Sequence, residues 1–160
     1  MLTTEQNALL KAAILADPVL SALPVNTDSA FEIAAQFNQV ASPTFVVWRT
    51  DVSADEIMRN GMDWARVDNL SVGKARIWEW MTRLGTINAS KANIRAGIDA
   101  AWVGTAADLA VRAMIYTHCK RSATRAEKVL ATGTGTDAVP ATLGFEGQLS
   151  YQDAFAAWIS

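Results

Sequence analysis

One cysteine, one histidine and four prolines are all that this chain of 160 residues offers of the types that staple, switch or break a fold. A single thiol, Cys119, makes no internal disulfide, which fits a reducing compartment. His118 is its neighbour, and adjacent helical side chains point about 100° apart, so the two do not form a Cys–His nucleophile pair with each other. A zinc site needs three or four ligands, and beyond these two only Asp and Glu remain to supply them. Charge is scarce as well. Asp, Glu, Lys and Arg make up 19% of residues and the formal net charge is −2. That leaves out the basic excess usual in nucleic-acid binders, so any contact with nucleic acid is expected to be local. No apolar run approaches the length that crosses a bilayer. Residues 1–6 have neither a basic stretch nor an apolar one, so neither a signal peptide nor a membrane partner is expected, and the expected setting is the cytoplasm or a particle assembled there.

Apolar residues, at 51%, are abundant, and six of them are tryptophans. One domain's worth of chain buries a sizeable core, and the low charge fraction means either a generous core or apolar surface that meets a partner. Helix starts are legible as capping boxes, in which two side chains satisfy the orphan amides reciprocally: Thr3 with Gln6, Ser29 with Glu32, Ser53 with Glu56. Thr105 with Asp108 and Ser150 with Asp153 are looser versions. Helices are expected over residues 4–16, 29–40, 53–60, 71–84 and 90–102. A sixth starts near Thr105 and continues or restarts near Ser122 to end at about Ala131. Residues 62–70 read as a tight, partly helical connection. The expected core stripes include Leu9, Leu10, Ala13 and Ile14 on the first helix, Phe31, Ile33, Ala34 and Phe37 on the second, and Ile77, Trp80, Met81 and Leu84 on the fourth.

Residues 44–50 are β-branched and aromatic and form the one strand-like run. Its pairing is open among the C-terminal segment, another subunit and no partner. After Ala131 the character changes. Residues 132–147 hold four of the nine glycines and almost no helix formers, and read as an extended arm or a hairpin. A last amphipathic piece over residues 150–159 carries Tyr151, Phe155, Trp158 and Ile159 at helical spacing. The fold class expected is therefore mainly α: a small helical bundle over residues 1–131 with a short strand, then a Gly/Thr-rich arm or hairpin and a short anchoring helix over residues 132–160.

Chemistry-bearing constellations are thin. The Thr132–Gly135 stretch lacks the order of a phosphate loop, and no lysine follows it. The acids between Asp51 and Asp68 are accounted for by helix caps and solvated faces. No nucleophile, base and orienting group assemble, so a non-enzyme is expected, with no catalytic, cofactor-binding or metal residue assigned. Arg121, Arg125 and Lys128 fall at helical spacing, and stay open as a solvated face or as a basic patch for an acidic protein or passing phosphates. Trp78 and Trp80 lie at different angles on one helix, so either both sides of it are covered or one indole meets a partner.

Three stretches, residues 45–52, 125–135 and 144–153, resemble small proteins encoded in the structural gene blocks of tailed bacteriophages. The layout is similar to head-to-tail adaptor (connector) proteins of the neck. The resemblance implies a structural virion protein that forms a homo-oligomeric ring, commonly a dodecamer, between portal protein and tail or neck proteins. The ring is assembled in the host cytoplasm and DNA passes through it with at most non-specific contact. It further implies docking through the arm; the partner-binding anchors expected in this chain are Trp48, Phe145, Tyr151, Phe155 and Trp158, and the basic face expected is Arg121, Arg125 and Lys128. The strand-like run departs from the purely helical pattern of many adaptors. It leaves room for another tail or neck component such as a tail terminator, or for a small phage-encoded regulatory protein- or DNA-binding module.

Overall fold

A computed structural model describes residues 1–160. The chain is mainly α and carries nine α-helices. They are α1 (Thr4–Ala16), α2 (Thr27–Phe37), α3 (Ala54–Arg59), α4 (Trp64–Asp68), α5 (Val72–Arg83), α6 (Ala92–Ala101), α7 (Ala106–His118), α8 (Arg125–Leu130) and α9 (Tyr151–Ile159). Four short strands, β1 (Val46–Trp48), β2 (Val52–Ser53), β3 (Thr86–Ile87) and β4 (Lys120–Ser122), form two two-stranded sheets, β1 with β4 and β2 with β3. No helix is long and apolar enough to cross a membrane. The chain divides into two compact units: unit 1 is Met1–Val47 with Ser122–Ser160, and unit 2 is Trp48–Arg121.

Unit 1 is built on α1, α2, α8 and α9. The Thr3 hydroxyl accepts from the Gln6 amide while the Gln6 side chain accepts from the Thr3 amide at 2.9 Å, which fixes the start of α1. Thr124 and Glu127 do the same for α8. The expected second helix begins two residues earlier and stops at Phe37. Asn26, not Ser29, is its cap, because the Asn26 side-chain oxygen Oδ1 accepts from the Ser29 amide at 2.9 Å. Helix α9 packs on both α1 and α2. Leu10, Ile14, Leu20, Ile33 and Phe37 meet Leu149, Ala154, Ala157 and Trp158 there, all of them buried. Alanines on α9 let the helices approach closely, so much of this core is backbone-near packing. Leu9, expected inside, is exposed, and so is Phe31.

The expected division at 131/132 is not where the chain divides, because residues 132–160 are part of unit 1. Thr132 and Thr142 exchange two backbone hydrogen bonds of 2.9 Å. The Val46 amide donates to the Gly135 carbonyl at 2.7 Å, and the Ala141 amide to the Val46 carbonyl at 2.9 Å. The Asn38 side-chain amide pairs with both backbone groups of Leu149, donating at 3.0 Å and accepting at 2.7 Å. Buried Glu127 accepts from the Gly147 amide, and Gln6 donates to the Gly144 carbonyl at 2.7 Å. Gly135 has φ +66°, and a Cβ there would fall 2.1 Å from the Phe45 ring, so the glycine is what lets the loop close over Phe45. A stretch without helix formers is thus held by paired backbone groups, although only Gly135, Pro140 and Ala141 within residues 132–147 are buried.

Unit 2 runs from Trp48 to Arg121 without interruption. Its core holds Ile57, Trp78, Met81, Ile87, Ile98, Trp102, Val111 and Ile115, with the rings of Trp78 and Trp102 edge to face at 5.5 Å. Helix α5 is rotated from the expected stripe: Trp78 is 3% exposed and Trp80 63%. Helix α7 carries the Thr105–Asp108 capping box and ends at His118, and β4 follows before α8 begins. The sixth helix therefore restarts, and its second part begins after Thr124 instead of near Ser122. Register in the small sheet sets Val52 opposite Ile87 and buries both.

Candidate partner-binding surfaces

The expected anchors are mostly spent inside the chain. Trp158 is 7% exposed in the unit 1 core, and Phe145 packs on the same cluster. Tyr151 stacks on Phe31 with centroids 4.0 Å apart, and Phe155 is half-buried on α9. Trp48 sits in unit 2 between the Arg95 guanidinium, 4.9 Å from the ring centroid, and Tyr116, 5.5 Å away. A side chain already buried among neighbours has little area left to lose to a partner, so this set does not form one exposed docking patch.

The expected basic face is not a helix face. Arg121 is in β4, whereas Arg125 and Lys128 are in α8. Arg125 donates to Asp17 at 2.8 Å and lies over the Phe37 ring, and Lys128 lies 5.8 Å from the Phe45 ring centroid. The Arg125 guanidinium, with the amides of Leu20 and Val19, holds the Asp17 carboxyl below its ordinary value. Arg125 and Lys128 thus serve contacts within unit 1, and β4, paired with β1, interrupts the helix that would have aligned Arg121 with them.

A polar cluster that sequence spacing did not reveal joins three distant positions of unit 2. Arg49 donates to Glu56 at 2.7 Å and to the His118 carbonyl at 3.1 Å. The His118 ring faces Glu56 through Nδ1 at 3.2 Å and the Asn60 carbonyl through Nε2 at 3.1 Å. Glu56 is held below the ordinary carboxylate range, first by Arg49 and then by His118. Cys119 is fully buried, and burial pushes its thiol up to about 11, far from the thiolate a nucleophile needs. The cluster ties α3 to the end of α7 as an ion-pair strut. A second strut joins Arg66 to Asp108 at 2.6 Å; Arg66 and the Thr105 cap bring the Asp108 carboxyl down to about 2. No three His, Cys, Asp or Glu side chains are grouped to hold a metal ion.

The exposed apolar side chains lie elsewhere. On α5, Val72 is 76% exposed, Trp80 63% and Leu84, just past its end, 67%. Arg76 stands between Val72 and Trp80 at the same four-residue step, exposed and without a partner in the chain. On α2, Phe31 is 53% exposed, flanked by the exposed carboxylates Asp28 and Glu32. Trp64 on α4 is exposed as well. The one signal for this was the Trp78/Trp80 pair, since indoles two residues apart on a helix cannot both face one core. Choosing between them needed the packing of α5 on α6. No family model, curated protein or solved structure matches the chain.

Proposed function

We propose that the protein is a non-catalytic structural protein of a tailed-phage virion, a head-to-tail adaptor that forms a ring between portal and tail for DNA passage. The observation that supports an assembly role is the exposed apolar ridge of α5, where Val72, Trp80 and Leu84 accompany Arg76 on the outside of a helix whose other side is already packed. Tryptophan and arginine are the residues most enriched at the centres of protein interfaces, and an outward indole on a small domain is a surface built to be covered. The phage assignment comes from the resemblance of residues 45–52, 125–135 and 144–153 to proteins of phage structural gene blocks.

The deciding experiment is light scattering on the purified chain, alone and with a candidate portal protein. A ring-sized mass, or a stoichiometric complex that forms with portal, is the expected result. A chain that stays monomeric at all concentrations and does not associate with portal would sink the adaptor assignment.

A further inference from the structure

The two units carry opposite charge. Unit 1 has three Lys and Arg against eight Asp and Glu, a formal −5, and unit 2 has eleven against eight, a formal +3. The whole-chain value of −2 hides this division. Each unit also presents one outward helical face in which a large apolar side chain sits beside unpaired charge of that unit's own sign. In unit 2 this is the α5 ridge: Trp80 with Arg76 one turn before it and Val72 one turn earlier. In unit 1 it is α2, where Phe31 stands between Asp28 and Glu32 and neither carboxylate has a partner in the chain. The Phe31 ring is held in place by its stack on Tyr151, so it is presented as a rigid platform.

We infer that the α5 ridge of one copy docks on the α2 face of a second copy of this chain, Arg76 meeting Asp28 and Glu32 while Trp80 covers Phe31. The occupant follows from charge complementarity. The basic ridge favours an acidic, aromatic surface, and the chain itself carries one. Phe31 and Trp80 bring the desolvated centre, and the flanking charges bring register and steering. Surface A meeting surface B is a heterologous contact, which when repeated closes into a ring or grows as a filament. This deepens the assembly reading above and rests on it.

The test is a charge-reversal cycle on the full-length chain, read as mass against protein concentration by light scattering at low and high salt. The native chain is expected to associate, less so at high salt because screening shortens the reach of exposed charges. Arg76→Glu alone and Glu32→Arg alone are each expected to weaken association about tenfold or more, since like charges then face each other. The double variant is expected to recover most of the loss. Both positions are exposed, and far-UV circular dichroism checks that the helices persist. Association that ignores all three variants would overturn this interface while leaving the assembly role standing. A native chain that stays monomeric by itself yet binds portal would overturn self-docking and leave the adaptor reading intact. Losses in the single variants without recovery in the double would overturn the pairing of these two faces.

Discussion

Unit 1 is made from the two ends of the chain, and unit 2 from the single stretch between them. Their cores differ accordingly. Unit 1 brings helices close over alanines, with Ala30, Ala34, Ala126, Ala154 and Ala157 all buried and one tryptophan, Trp158. Unit 2 holds the other five tryptophans and fills its interior with indole and isoleucine, Trp78 and Trp102 meeting Ile57, Ile98 and Ile115. A core closed by small residues depends on helices from distant parts of the sequence arriving in register. A core closed by large ones depends on each large side chain finding its own volume. The first is broken by removing a segment, the second by removing a ring.

The largest expected effect is therefore from deleting residues 132–160. This removes α9, which packs on α1 and α2, and the loop that pairs with Val46. Unit 1 should unfold and unit 2 should persist. Amide hydrogen exchange reads both at once: protection is expected to vanish on α1 and α2 and to survive on α6 and α7. Retained protection on α1 and α2 would mean that the segment is dispensable to the unit 1 core.

Next in size is the contrast between a cavity and an overfilled contact. Trp102→Ala should cost unit 2 about 3–5 kcal/mol, as large-to-small changes in cores do. Ala157→Leu should cost unit 1 about 1–3 kcal/mol by forcing α9 off its neighbours. Chemical denaturation followed by exchange or fluorescence distinguishes the units. Equal losses in both units from either substitution would erase the distinction drawn between their cores.

How far these cores were readable from the residues alone follows the same division. Ends of helices were legible where the signal is local: Thr3 with Gln6, Ser53, Thr105 with Asp108 and Ser150 all cap where expected. Ser29 is not the cap because Asn26 offers an equally good oxygen three residues earlier, and the Thr124–Glu127 box is masked by the basic residues Arg121, Arg125 and Lys128 at helical spacing around it. The rotation of α5 was not legible, since Trp78 and Trp80 are equally apolar and only α6 decides between them. The fate of residues 132–149 was illegible for a stronger reason. Glycine and threonine state that a segment is not helical, but its partners Val46, Asn38 and Glu127 lie elsewhere in the chain. The packing of the expected anchors was illegible on the same account: aromatic spacing identifies a helix face without saying whether that face is met from within.

Acid should act more gently, through the carboxylates of the ion-pair struts. Asp108 in unit 2 goes from an ordinary 3.8 to about 2 in the folded chain, and Glu56 beside Arg49 and His118 is also lowered. A carboxylate with a lowered folded value contributes stability that is complete above its unfolded value and is lost as pH falls through the folded one. Unit 2 should thus lose stability between about pH 4 and pH 2. In unit 1 Asp17 beside Arg125 is lowered as well and contributes in the same sense. Tryptophan fluorescence reports mainly unit 2 and follows the loss directly. In Asp108→Asn the acid dependence of unit 2 should flatten; a pH profile identical to the native one would show that the Arg66 strut does not set it.

The smallest effect on stability should come from Trp80→Ala, and the comparison with its neighbour gives it meaning. Trp78→Ala empties a site packed edge to face on Trp102 and should cost about 3–5 kcal/mol. Trp80 lies two residues on, outside the core, where a surface substitution stays within about 0.5 kcal/mol and alanine is the better helix former. An indole 63% exposed on α5 is what the docking proposed above uses. The melting temperature should hardly move while self-association falls. If Trp80→Ala instead destabilises unit 2 as Trp78→Ala does, the indole is part of the fold. If it leaves both stability and association unchanged, the α5 ridge is not the surface through which copies meet.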